Sequence, residues 1–404
     1  TDAFLRALAR YEFYGEVVLL KGARPFAFER IARRLAQQVH MTALEIDLDA
    51  LAHNLRVFHG HLRRGVRTMV MVKASAYGGG SVEVAKLMEF HQVDYLAVAY
   101  TDEGVELRQA GIQLPILVLN PEPAAFDELL RFRLEPELFS LSQLEQFAAF
   151  TATCGEPLPI HLDLDTGMRR LGFESEDLNS LLQALHRHSH LHVRSVFSHL
   201  VASEAPEHDA FTHEQWRRYT DFYEPLAAGL GYRPLRHLLN SSGIHRFPEY
   251  QLDMVRLGIG IYGIDSTGLL SPTLQPVFHF KAHISQIKRL APGETIGYGR
   301  RGARPVARRI ATLSVGYADG LPRAAGNERY QVLIRGQRAP IVGNVCMDMC
   351  MVDVSLLPEA REGDEATIFG REPAVEELAA VLNTIPYEVL TGISRRVKRV
   401  YVQG

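Results

Sequence analysis

Cysteine is scarce in this chain: Cys154, Cys346 and Cys350 are the only three among 404 residues. Three thiols cannot build a disulfide framework, and their spacing is not that of zinc ligands. Buried, reduced thiols are expected, and no metal site is. Long apolar runs are lacking too. None approaches the roughly 20 residues that a membrane-spanning helix needs, and no signal peptide opens the chain, so the cytoplasm is the default compartment. Charge of one sign is also missing. Lys and Arg total 44 against 47 Asp and Glu, a net charge of -3 with well-mixed signs, which indicates neither nucleic acid nor an anionic membrane as a partner. Basic pairs such as Arg300 with Arg301 and Arg395 with Arg396 read as solvated faces. The first residue is Thr1 rather than methionine, which suggests a longer product; Met41 stands just before a new pattern, TALEIDLDAL.

What is present is apolar content, 47% of a chain long enough for two or three domains. From Ala43 onward, apolar runs alternate with stretches of helical period. Eight runs read as strands: 68–73, 95–99, 116–120, 137–140, 160–165, 193–199, 237–240 and 254–257. Amphipathic stretches at 81–90, 101–109, 142–150 and 212–228 separate many of them. Eight strand and helix repeats predict an α/β fold, a (β/α)8 TIM barrel over residues 42–268, with its site at the C-terminal ends of the strands. After Gly268 the texture changes to short runs punctuated by Gly and Pro, at 278–287, 307–314, 330–334, 339–342 and 365–369, with one late helix at 375–382. A mainly β C-terminal domain over 269–404 is expected. Residues 1–41 stand apart, with an apolar segment at 16–21 and a helix at 26–39.

The first strand ends in MVMVKASAYGGG, residues 69–80. Burying an unpaired ammonium costs several kcal/mol, on the order of its desolvation, or forces loss of the proton. Lys73 is therefore either a solvated strand end or a working amine. A working amine can form a Schiff base with a carbonyl, including that of pyridoxal 5'-phosphate, with a tyrosine hydroxyl and backbone N–H groups to hold the phosphate. Polar groups end other strands. The fifth gives HLDLDTGMRRLG with Asp163 and Arg170, although Asp165, Thr166 and Gly167 also suit a plain turn. The sixth ends at His199, one of 17 histidines. Ser241 follows the seventh in LLNSSG, and Arg256, Gly258 and Ile259 lie in MVRLGIGIYG at the eighth.

The stretch VKASAYGGG resembles the cofactor motif of alanine racemases, usually VKANAYGHG, and departs from it at Ser75 and Gly79. The β-rich region resembles the same family through ETIGYGRRG (Tyr298), SVGYADG (Tyr317), NVCMDM (Met347, Asp348) and TIPYEV (Tyr387). Taken alone, Tyr298 and Tyr317 would be ordinary hairpin tyrosines. The resemblance spans about residues 42–404. It implies that Lys73 carries pyridoxal 5'-phosphate and serves as one base. Tyr298, reaching the partner's site in a homodimer, would be the second. Tyr77, Ser241, Gly258, Ile259 and Tyr387 would hold the phosphate, His199 would stack on the pyridine ring, and Arg256 would face its nitrogen. Arg170 would meet the phenolic oxygen and the substrate carboxylate, while Tyr317, Met347 and Asp348 would shape the pocket for alanine. Many family members carry a carbamylated lysine at the position of Asp163; here Asp163 is expected to supply that anion itself. A tyrosine ordinarily titrates near 10, so the second base requires His199 and Arg256 to favour a phenolate.

Residues 1–41, through LLKGAR…FERI, resemble the end of the Mur ligase that adds D-alanyl-D-alanine, as in a fused ligase and racemase; an unrelated extension or linker is the alternative. The product would be D-alanine for peptidoglycan. Competing readings are a serine or broad-specificity racemase, a basic amino-acid decarboxylase, a non-catalytic pyridoxal phosphate carrier, and a scaffold for the ligase.

Overall fold

The computed structural model describes residues 1–8, 11, 18, 20, 21, 26, 28, 30, 31, 42–153 and 156–403. Half of the segment expected at 16–21 and most of the helix expected at 26–39 lie outside the described residues, as does Cys154. Asp2–Ala7 is helical. The chain forms two compact units, one of residues 52–275 and one of 1–51 with 276–404.

In the first unit, eight strands close into a parallel barrel: β2 (Arg67–Met71), β3 (Tyr95–Val98), β4 (Ile116–Val118), β5 (Glu135–Leu138), β6 (Leu158–Asp163), β7 (Leu191–Phe197), β8 (Leu235–His237) and β9 (Met254–Leu257). β2 closes the ring by pairing with both β3 and β9. Strands buried on both faces read as continuous apolar runs, which is why YLAV and ILV were recognisable. Helices Ser81–Phe90, Thr101–Gln109, Leu141–Phe150 and Asp209–Leu230 match the amphipathic stretches. Several strands stop a residue or two before their expected ends. Lys73 and His199 therefore stand just beyond β2 and β7, in the loops above the strand ends.

The second unit is one eight-stranded sheet in the order β11-β14-β13-β12-β15-β10-β1-β16. Its strands are β1 (Ala43–Asp47), β10 (Phe278–Leu290), β11 (Arg308–Leu313), β12 (Gln331–Ile334), β13 (Gln337–Val342), β14 (Cys350–Asp353), β15 (Glu365–Phe369) and β16 (Lys398–Val402). β11 also pairs with the far half of β10, so six antiparallel strands close on themselves. β1 runs antiparallel to β10 and parallel to β16. Boundaries expected at 42 and 268 thus differ from the observed division at 52 and 276, because residues 43–47 pair with the β-rich sheet rather than the barrel. Leu44 and Ile46 on β1 are fully buried, worth about 1.5–3 kcal/mol each. Cys350 is buried and Cys346 partly buried, both as free thiols.

Candidate active site

Lys73 opens a short left-handed turn. Ala74, Ser75, Ala76 and Tyr77 have φ of 52°, 54°, 51° and 55°, a conformation that costs about 1–2 kcal/mol per non-glycine residue. Three things hold it. The amides of Gly78 and Gly80 donate to Ala74 and Ser75 carbonyls at 2.9 and 2.8 Å, and glycine at those positions supplies the positive φ that ends the turn. Glu103, in the first turn of the helix Thr101–Gln109, accepts from Ala74 N at 2.6 Å through one oxygen and from Ala99 N at 2.7 Å through the other. Such strain persists where the surroundings over-determine it, characteristically at functional sites. The Lys73 ammonium is disfavoured first by burial and then by Arg170, against the pull of Glu103 and Glu137, so its pKa is lowered. A neutral amine is thereby easier to reach.

Beneath Lys73 the barrel interior is polar. Arg256 on β9 donates through Nη1 to His237 Nδ1 at 2.8 Å, and through Nη2 to the carbonyls of Ser198 at 2.6 Å and Leu238 at 3.2 Å. His237 Nε2 lies 2.8 Å from Ser195 Oγ, which lies 2.6 Å from His161 Nδ1, and His161 Nε2 lies 2.7 Å from a Glu135 oxygen. Arginine can only donate, which sets the direction: Arg256 gives to His237, His237 to Ser195, Ser195 to His161, and His161 to Glu135. His161, Ser195 and His237 are fully buried. Burial and Arg256 push His237 well below the ordinary imidazole range. His199 is lowered to about 3 by burial, then by Arg256, Arg170 and Lys73. It is neutral, with Nδ1 3.5 Å from Arg256 Nη2. Burial likewise brings Arg256 down to about 10, against the pull of Asp163 and Glu137.

Residues expected at the phosphate lie in a cradle after β8 and β9. Ser241 opens the helical turn Ser241–Arg246 and accepts through Oγ from Gly258 N at 3.0 Å and Gly260 N at 3.3 Å. Asn240 caps that turn, its Oδ1 accepting from Gly243 N at 3.0 Å. Ile259 begins a second short turn, Ile259–Tyr262. The first N–H groups of such turns have no partner within the turn. A side-chain carbon at Gly258 would sit 3.0 Å from Tyr77 Oη, so the glycine is what lets Tyr77 reach this place. Hydroxyls of Tyr77 and Ser241 beside backbone amides are a donor set for a phosphate dianion, and pyridoxal phosphate therefore suits these residues.

The β-rich unit gathers its own set. Tyr317 N donates to Cys346 O at 3.0 Å and Ala318 N to Met347 O at 2.9 Å. A side-chain carbon on Gly316 would fall 2.3 Å from Met347 O, so the two segments run side by side only because that residue is glycine. Arg396 donates to Asp348 at 2.7 Å and to Asp319 at 2.8 Å. Arg395 and Arg396 are exposed, as expected of that pair, and the Arg396 guanidinium bridges these two carboxylates. Tyr298 is exposed, and its carbonyl accepts from Asn344 Nδ2 at 2.8 Å. Tyr387 lies in the first turn of the helix Pro386–Thr391. Among the described residues, no cluster of His, Cys, Asp or Glu is arranged to hold a metal, and no helix is long and apolar enough to cross a membrane.

Reading the sequence missed Glu103, Glu135, Glu137, His161, Ser195, His237 and Arg396. The available signal was alternation: Glu135 with Glu137, and His161 with Asp163, each two apart on neighbouring strands and so on one face.

Residues 46–266 match the family described as "Alanine racemase, N-terminal domain" and residues 277–401 that described as "Alanine racemase, C-terminal domain". An alanine racemase of Desulfovibrio desulfuricans is 38% identical over 365 residues, covering 89% of this chain and 97% of the relative. Among solved structures, the alanine racemase of Clostridium difficile superposes with a TM-score of 0.84 at 35% identity, covering 90% of this chain and 96% of the other. That of Bartonella henselae, with covalently bound pyridoxal phosphate, gives 0.82 at 28% identity, covering 90% and 99%.

Proposed function

Because this chain belongs to the alanine racemase family, we propose that Lys73 and Tyr298 are the two bases with which it interconverts L- and D-alanine. The enzyme is a pyridoxal phosphate-dependent racemase whose product, D-alanine, serves peptidoglycan synthesis. The observation that carries the assignment of bases is Lys73, an amine of lowered pKa held at the barrel mouth by a strained turn. Bound there, pyridoxal phosphate supplies an electron sink that acidifies the substrate's Cα–H.

The protein's own groups do the rest. Tyr77, Ser241, Gly258 and Ile259, with Tyr387, bind the phosphate. Arg256, locked by carbonyls and His237, would face the ring nitrogen and, as an arginine, gives up no proton readily. His199, held neutral, would stack on the ring. Arg170 orients the substrate carboxylate through its planar fork. Lys73 takes or returns the Cα proton on one face and Tyr298 on the other. Tyr317, Met347 and Asp348 confine the substrate side chain. The exposure of Tyr298 and Met347, 68% and 54%, supports a homodimer in which each subunit lends these residues to the other's site. The LLKGAR…FERI pattern supports a ligase end at residues 1–41; an antibody against the barrel detecting only a racemase-sized product in the source cells would remove that part.

Asp163 supplies the anion that family members obtain from a carbamate. Activity is accordingly expected to be the same in degassed buffer and after bicarbonate is restored; a rise on restoration would count against it. Gly258→Ala is expected to weaken cofactor binding about tenfold, the loss of one good hydrogen bond as Tyr77 is displaced, measured by absorbance titration of the cofactor-free protein.

The function itself is tested by incubating the loaded protein with L-alanine in heavy water and resolving the enantiomers by mass. Deuterated D-alanine is expected. Bound cofactor with neither exchange nor D-alanine would point to another substrate or a carrier.

A further inference from the structure

The linked side chains beneath Lys73 come one from each of five consecutive barrel strands: Glu135 from β5, His161 from β6, Ser195 from β7, His237 from β8 and Arg256 from β9. Their register makes the chain a climb. Glu137 lies opposite His161, so Glu135 stands two residues below it, while His161 and Ser195 are level. His237 lies opposite Phe197, two residues above Ser195, and Arg256 is two above Met254, the partner of His237. A step of two residues keeps the face a strand residue presents, which is why all five meet inside the barrel. Three such steps carry the chain about 20 Å along the strands, at about 3.3 Å per residue. Glu135 is the first residue of β5 and so lies at the end of the barrel away from the site. We propose that Glu135 is a positioning residue: from the barrel floor it fixes, through His161, Ser195 and His237, the orientation in which Arg256 is held at the mouth. The proposal rests on the racemase reading for the role of Arg256.

What passes along the chain is proton order. Each imidazole has two tautomers and the Ser195 hydroxyl rotates, so the three middle members can be ordered in either direction. Only the ends are fixed. Arg256 donates and never accepts, and the Glu135 carboxylate accepts and does not donate. With both ends in place, one order satisfies every link: His161 and His237 each carry a proton on Nε2 and leave Nδ1 bare. Without the carboxylate, His161 Nε2–H loses its acceptor at 2.7 Å. The reverse order, with the proton on Nδ1 of both rings, then becomes competitive. It turns a His237 N–H towards the Arg256 guanidinium, donor against donor. The 2.8 Å bond between Arg256 Nη1 and His237 Nδ1 is lost, and Arg256 keeps only its carbonyl partners.

Burial gives this choice its weight. His161, Ser195 and His237 are fully enclosed, where an unpartnered N–H bears its whole desolvation cost. Neighbouring rings also keep the imidazoles from tilting away. Tyr95 meets His161 edge-on at 6.0 Å, and Phe197 stacks on His237 at 4.8 Å with the Arg256 guanidinium 5.2 Å from the same Phe197 ring.

Nitrogen-15 NMR of the full chain labelled at histidine, with and without cofactor, reads the tautomers, and His161→Gln and His237→Gln identify the two rings. In the parent both are expected to carry a proton on Nε2 and none on Nδ1. A proton on Nδ1 of either ring there overturns the proposal, whether or not any variant folds. In Glu135→Leu, the Nδ1–H form of His237 is expected to appear and kcat/KM to fall about tenfold, the worth of one good hydrogen bond. Glu135→Gln, whose amide oxygen still accepts, should recover the parent tautomer and lose about threefold. An unchanged His237 in Glu135→Leu overturns the proposal. Ser195→Ala cuts the chain, so adding Glu135→Leu to it should lower kcat/KM no further. A double loss equal to the product of the single losses would mean that Glu135 acts only on the fold. Parent tautomers as expected in a protein that does not turn over alanine would overturn the racemase reading and leave the proton order standing.

Discussion

Lys73→Ala is expected to lower kcat/KM by at least about 10⁴-fold in both directions, because it removes a base and the amine through which the cofactor is held. The loss should be chemical rather than structural. Lys73 is only partly buried, and the turn that follows it is held by Glu103 and the Gly78 and Gly80 amides, none of which bonds to the lysine side chain. The melting temperature of the variant should therefore stay close to the parent's, and added methylamine should restore a measurable fraction of turnover. Retained activity within about tenfold of the parent would remove Lys73 from the mechanism. The lowered pKa of Lys73 adds a pH signature: the basic form is reached at lower pH than for a free lysine amine, so the acid limb of kcat/KM should lie below the ordinary lysine range.

Tyr298→Phe should separate the two directions of the reaction. With two bases on opposite faces, losing one leaves the other able to remove a proton from its own enantiomer. Proton abstraction from L-alanine is expected to slow by about 10²–10⁴-fold, and from D-alanine far less, read as the Cα isotope effect and exchange rate measured separately from each side. Small, equal effects in both directions would exclude the tyrosine. Size exclusion belongs in the same experiment, since Tyr298 is exposed on the β-rich unit and a monomer would lose both directions at once.

The barrel was legible because parallel strands buried on both faces leave uninterrupted apolar runs, and the helices between them carry a clear period. The β-rich unit was less so. CMVD and KRVYV bury alternate residues only, which leaves a short run too polar to distinguish from a loop, and ALEID finds its partners more than two hundred residues away. Among the candidate residues, Lys73, Tyr77 and Tyr317 stand in compact motifs that the sequence itself displays. Glu137, His161 and His237 were not, because a polar residue inside a strand ordinarily points to water, and only the closed barrel turns that face inward. Glu103 lay on a helix surface in the pattern and became part of the site through its bonds to Ala74 and Ala99.

The position of β1 between β10 and β16 also orders events on the ribosome. Ala43–Asp47 leaves the exit tunnel first among the described strands, yet its parallel neighbour Lys398–Val402 emerges last of them. At about 5–20 residues per second, synthesis of the intervening chain takes tens of seconds, long enough for residues 52–275 to collapse around their own closed ring. The nascent protein thus carries a finished barrel, with β10 at hand for one edge of β1, while the other edge waits open for β16, and that interval is when a chaperone has most to protect.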